Sequence, residues 1–130
     1  MTHRRCIAVV LFVLAGAEAQ IRYAFSMIAN TNATQAERDA AMEDGERTSA
    51  ERAARLEQYR AAASGVVFVV DAIRFVSATD ADVDFHLPGM GTPSAPTILH
   101  GSAVVQGGHW RVSKKTACVL AALVGNTCVS

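Results

Sequence analysis

Val66–Leu87 reads VVFVVDAIRFVSATDADVDFHL, and here the apolar period of the chain changes to two. Val66 to Val76 is rich in β-branched and aromatic residues, which predicts one long strand. Ala81, Val83, Phe85 and Leu87 then alternate with Asp80, Asp82, Asp84 and His86, so a second strand carries one apolar and one acidic face. If Ile73 and Phe75 share that apolar face, the loop around Ser77–Asp80 must have an odd length, because a one-residue slip inverts every side chain. Either allowed register sets Arg74 opposite Asp82 or Asp84, a favourable cross-strand pair. Counting back from Phe75 and Ile73, Asp71 faces inward with Val69 and Val67. The other reading, which we prefer, sets Asp71 at a bend or bulge.

The stretch Pro88–Pro96 holds all three prolines of the chain and reads as a loop or irregular edge. Thr97–Gln106 is a third strand and His109–Ser113 a fourth. Gly107-Gly108 between them suits a two-residue hairpin turn that needs positive φ. That turn pairs Val105 with Trp110 and Ala103 with Val112 on one face. A last helix is expected from Lys114 to Val124, with Cys118, Leu120 and Leu123 available for packing and Gly125 closing it.

Upstream, residues 20–63 contain no proline and a single glycine, Gly45. Ile21, Ala24, Phe25 and Ile28 recur at helical spacing, and Asn30-Thr31-Asn32 ends that helix. Thr34-Gln35-Ala36-Glu37 is a capping-box pattern opening a second helix to about Asp44, with Gly45 in the left-handed closing position. Thr48-Ser49-Ala50-Glu51 repeats the pattern and opens a third helix to Ala63, closed by Gly65. Its thin apolar side, Ala53, Leu56, Tyr59 and Ala63, covers a core more than it builds one. Its charged side reads as solvated, with helix-spaced pairs such as Glu51 and Arg55. Helices followed by strands predict an α+β domain: N-terminal helices packed on a curved antiparallel sheet of about four strands, with a short C-terminal helix. Phe25, Leu56, Phe75, Phe85 and Trp110 are the expected core.

The first residues follow a different logic. Arg4 and Arg5 precede an unbroken apolar run from Cys6 to Leu14, and Ala17-Glu18-Ala19 fits the small-x-small pattern of a signal peptidase site. The run is shorter than the ~20 apolar residues needed to span a bilayer. We therefore expect a signal peptide at 1–19, cut near Ala19, and a single domain at 20–130, secreted or envelope-associated and without a stable membrane anchor after cleavage. Removing 19 of the 130 residues leaves 111 and takes away Arg4, Arg5 and Glu18, so a neutral chain becomes net −1. Such a balance excludes a strongly basic nucleic-acid binder, and 51% hydrophobic content argues against disorder. Cys6 leaves with the signal. In an oxidising compartment the remaining pair, Cys118 and Cys128, reads as a disulfide contributing about 2–3 kcal/mol. Two unpaired thiols are the competing reading.

Gly107-Gly108-His109-Trp110-Arg111-Val112-Ser113, followed by Thr116-Ala117-Cys118-Val119-Leu120, resembles the end of the secreted actinobacterial low-molecular-weight antigen-like family. Met42–Glu46 (MEDGE) and Val69–Leu87 sit where that family has its corresponding elements, and the likeness spans about residues 20–128. The Trp-centred hairpin is its distinctive part. The resemblance implies an exported antigen with a cystatin-like or nuclear-transport-factor-two-like fold, a curved sheet around a long helix.

Candidate chemistry is sparse. Asp80-x-Asp82-x-Asp84 starts like a calcium loop, but positions six and twelve are Phe85 and Gly91 where Gly and Glu are needed. His86, His100 and His109 lie on the outer face of the sheet, where three histidines are able to hold zinc; exposed polar positions on strands is the favoured reading, and no metal or cofactor is expected. Two functions follow. The first is a non-enzymatic domain that binds an unknown protein or a small apolar ligand by the concave face or the Pro88–Pro96 loop. The second is a small isomerase- or dehydratase-like enzyme with Asp71 as general base in an apolar cavity.

Overall fold

A computed structural model of the chain describes residues 16–123, apart from positions 59, 64 and 93. Helix α1 covers residues 16–27. It is followed by α2 (Gln35–Ala40), α3 (Ser49–Gln58), α4 (Arg60–Ala63), β1 (Val69–Phe75), β2 (Asp80–His86), β3 (Gly91–Thr92), β4 (Ala95–Pro96), β5 (Leu99–Gln106), β6 (His109–Val112) and α5 (Lys114–Leu123). The domain is α+β. Four strands form an antiparallel sheet in the order β1-β2-β5-β6, and β3 and β4 form a miniature hairpin inside the proline-rich loop.

The hairpin registers follow the alternation. Phe75 pairs with Ala81 and Ile73 with Val83, so residues 76–80 make an odd-length connection. Val105 pairs with Trp110 and Ala103 with Val112 around Gly107 and Gly108, whose φ values are +63° and +82°. Ala81, Val83, Phe85, Ala103 and Val112 are almost wholly buried on the inner face. Helix α1 lies against them through Ile21, Ala24 and Phe25, and the Phe25 and Phe85 rings pack at 5.1 Å between centroids. Helix α5 closes the rest of that face with Ala117 and Leu120. Its buried Thr116 bonds both backbone groups of Ser102 on β5.

Several expectations give way. Strand β1 starts at Val69 rather than Val66, while the bulge preferred for Asp71 is present, its register shifting between Val70 and Ala72. The bulge puts Val70 inside and leaves Val67 and Val69 exposed. It also takes Asp71 out of the inward parity. Helix α2 stops at Ala40, because the next residues leave the helix to join the β6 edge. Val112 N donates to Ala41 O and Glu43 N donates to Val112 O, both at 2.8 Å, in a parallel bridge between Met42 and Val112. Asp44, not Gly45, takes the left-handed conformation, with φ +54°. Gly45 is needed for another reason: a Cβ there falls 1.9 Å from Asp39 O. The Thr34 capping box forms in full. The Thr48 hydroxyl instead donates to Asp44 O and accepts from Arg52 Nε. Leu56 does not join the core, since α3 has no buried residue. Helix α1 runs through the expected cleavage point, and Ala17 is buried with the core cluster. The basic and apolar parts of the expected signal, together with Val124, Gly125 and Cys128, lie outside the described residues.

Candidate functional site

The alternation of β2 projects its acidic residues from the outer sheet face, where two carboxylate clusters form. Asp71, turned out by the bulge, receives His86: Nδ1 and Oδ2 are 2.7 Å apart. Arg74 stands opposite Asp82 in the register, but its guanidinium reaches diagonally to Asp84 and donates to both carboxylate oxygens at 2.9 and 3.1 Å. His100 Nδ1 lies 2.8 Å from Asp84 Oδ1. The Arg74 hydrogen bond, and after it that of His100, holds the Asp84 carboxyl far below the ordinary carboxylate range. These groups satisfy one another on an open surface. His109 stands apart at the β5–β6 turn, with Nε2 3.0 Å from Ala40 O. The three histidines therefore do not converge. Among the described residues no group of three His, Cys, Asp or Glu side chains is arranged to hold a metal.

Asp71 does not reach the inner face. Phe25, Phe85 and Val83 are wholly buried there, and the Asp71 side chain is one-third exposed on the other side. The cleft of interest opens elsewhere, where α1, α2 and the start of β6 meet. It has a volume of about 310 Å³ and is lined by Tyr23, Ala24, Ala36, Glu37, Ala40, Ala41, His109 and Trp110. The local sequence explains its shape. Ala36 and Ala40 are one helical turn apart on α2 and too small to fill the space. Tyr23 leaves the apolar stripe of α1 and stays largely exposed. Trp110 is fixed from behind: its ring packs edge-on to Phe75 at 5.6 Å, and its backbone N–H donates to Gln20 Oε1. Glu37 at the rim is held below its ordinary pKa by the hydrogen bond from the Thr34 backbone and then by the Thr34 hydroxyl. Of these lining groups the sequence singled out only Trp110, Ala24 and His109 for packing or chemistry. Ala36–Ala40 spacing opposite an off-stripe tyrosine is the signal that was there to be read.

Beside the cleft, buried polar contacts fix the 39–46 turn on the sheet. Arg111 donates through Nη1 to Glu46 at 2.8 Å and to Met42 O at 3.3 Å. Burial opposes the charge of Asp39, yet bonds from Ser49, Gln35 and Arg52 together hold its carboxyl low. The α2 wall of the cleft is thus anchored by charge-assisted bonds as well as by packing.

Such a fold, helices with a four-stranded antiparallel sheet and an edge cleft beside a tryptophan hairpin, defines a small α+β domain. The chain belongs to the family of the low molecular weight antigen MTB12, C-terminal domain, whose family model matches residues 14–128. No curated protein sequence matches the chain.

Proposed function

We propose that the protein is an exported, antigen-like domain without catalytic activity that binds a small apolar ligand in the cleft between α1, α2 and β6. The observation that carries this reading is the cleft itself: a largely apolar concavity of about 310 Å³ with an aromatic wall, Tyr23 and Trp110. Ligand sites are concave, mostly apolar and supplied with a few polar groups, and this volume lies at the lower end of their range. Family membership supports an antigen-like role. Export rests on the basic, apolar and small-residue order of the first 19 residues. The Cys118–Cys128 bridge belongs to the same reading and follows from the oxidising compartment.

Native mass spectrometry of the protein exported by its own host tests these points together. The expected species starts near Gln20, is about 2 Da lighter than the reduced chain, and retains a ligand that Ala40→Phe expels. A mass matching residues 1–130 intact overturns export. A reduced cysteine pair overturns the bridge, and equal ligand retention in Ala40→Phe overturns the cleft.

A second reading, a small isomerase- or dehydratase-like enzyme with Asp71 as general base, has one observation in its favour, the 2.7 Å contact of Asp71 with His86. Against it, the Asp71 side chain is one-third exposed on the outer face of the sheet and not enclosed in an apolar cavity. Unchanged turnover and binding in Asp71→Asn would reject it.

A further inference from the structure

The cleft has a charge as well as a shape. Its lining is four alanines, the aromatic residues Tyr23 and Trp110, His109 and the carboxylate residue Glu37. Thr34 holds the Glu37 carboxylate in place by donating its backbone N–H to Oε1 at 3.0 Å. Among the described residues no Lys or Arg lines the cleft. The neighbouring cation, Arg38, is not part of the lining: it donates to Asn30 O at 3.0 Å and to Gln35 Oε1 at 2.9 Å, and its charge is the weakest of the influences that lower the Glu37 pKa. An apolar concavity with aromatic walls and one anchored carboxylate favours a cation on an apolar stem, because ring faces and carboxylate both attract positive charge.

We infer that the cleft accepts a small organic ammonium, its alkyl stem against Ala36, Ala40 and Trp110 and its charged head beside Glu37 and Tyr23. The inference rests on the binding reading above and adds the chemical class of the ligand. It assigns Glu37 a selectivity role distinct from its capping role, and the two are separable. Glutamine at the same helix position keeps the capping-box hydrogen bond and removes the charge.

Trp110 is the sole tryptophan of the chain, so its fluorescence reports the cleft directly. The probes are hexylammonium, hexanol and hexanoate, titrated at pH 8 and constant ionic strength against the disulfide-intact protein. Hexylammonium is expected to bind about fivefold more tightly than hexanol, the size of a rim-exposed ionic contact with a cation–π contribution. Hexanoate is expected to bind most weakly. Glu37→Gln should bring hexylammonium to the level of hexanol and leave hexanol unchanged. If hexanol binds as well as hexylammonium to the unaltered protein, the ammonium assignment falls and the cleft stands. If none of the three perturbs Trp110, and Ala40→Phe likewise changes nothing, the cleft reading itself falls.

Discussion

Asp44 and Gln106 exchange two hydrogen bonds across the seam between the helical half and the sheet. The Asp44 backbone N–H donates to Gln106 Oε1 at 2.7 Å, and Gln106 Nε2 donates back to Asp44 Oδ1 at 2.6 Å. Lys114, the first residue of α5, salt-bridges the other carboxylate oxygen, and Arg47 lies 3.5 Å from it. One side chain therefore joins the 41–48 turn, strand β5 and helix α5. It does so from a left-handed backbone conformation that Asp and Asn tolerate better than other non-glycine residues.

The hydrogen bond from Lys114, then that from Gln106, lowers the Asp44 pKa to about 2 from 3.8. A carboxyl whose pKa is depressed on folding contributes stability that is fully present above its unfolded pKa and is lost as pH falls through the folded one. Stability should therefore decline between about pH 4 and pH 2. Asp44→Asn keeps the backbone conformation and an acceptor for Gln106 but cannot titrate. Urea denaturation of both proteins across that range should show the variant less stable at neutral pH and the gap closing towards pH 2. A gap independent of pH would show that the Asp44 charge contributes nothing.

Gly45 is expected to tolerate no side chain. A Cβ there meets Asp39 O at 1.9 Å and Asp39 C at 2.7 Å, both backbone atoms that no rotamer change can move. Gly45→Ala should cost about 1–3 kcal/mol, as overpacking does, read as a lower urea midpoint at unchanged slope. The displaced Asp39 also bonds Ser49 and Arg52, so the same substitution should loosen α3. Amide exchange in residues 49–58 should quicken more than in β2.

Phe85 is the centre of the core. Its ring meets Phe25 at 5.1 Å and Phe68 at 5.8 Å and has no exposure to solvent. Phe85→Ala should cost about 3–5 kcal/mol, combining lost transfer energy with a cavity too enclosed to collapse. A loss below 1 kcal/mol would mean that α1 does not hold this position on the sheet.

How much was legible depends on where the pattern had a phase. Asp80–Leu87 alternates strictly, so its face and the odd length of its connection to β1 could be deduced, while two registers stayed open and the fold takes the one that pairs Ile73 with Val83. Val66-Val67-Phe68-Val69-Val70 is apolar at every position and carries no parity, so the start of β1 was invisible, whereas the bulge at Asp71 was readable from the odd placement of one acid. Ala40-Ala41-Met42 suits a helix end locally. Only its non-local bonding to Val112 draws it out of α2. The Asp84 contact of Arg74 was readable to within one pair. The Arg111 anchor was not, since the burial of a guanidinium depends on carbonyls more than sixty residues away in sequence. The cleft escaped because what makes it is absence of bulk at Ala36 and Ala40, which a search for reactive residue types passes over.

Thr116 tests the joint between α5 and the sheet. It has no solvent exposure, and its hydroxyl oxygen accepts from Ser102 N at 2.7 Å, donates to Ser102 O at 3.1 Å and lies 2.9 Å from Ser113 Oγ. Valine has nearly the same volume and keeps the packing, so Thr116→Val isolates the hydrogen bonds. It leaves the Ser102 backbone N–H without this acceptor, a desolvated donor that costs about 1–3 kcal/mol. Thr116→Ser retains the hydroxyl and loses a methyl group; it should cost only about 1 kcal/mol. The order of urea midpoints, unaltered protein above Thr116→Ser above Thr116→Val, is the expected result. Thr116→Val falling above Thr116→Ser would mean that shape, and not the bonded hydroxyl, seats α5 on β5.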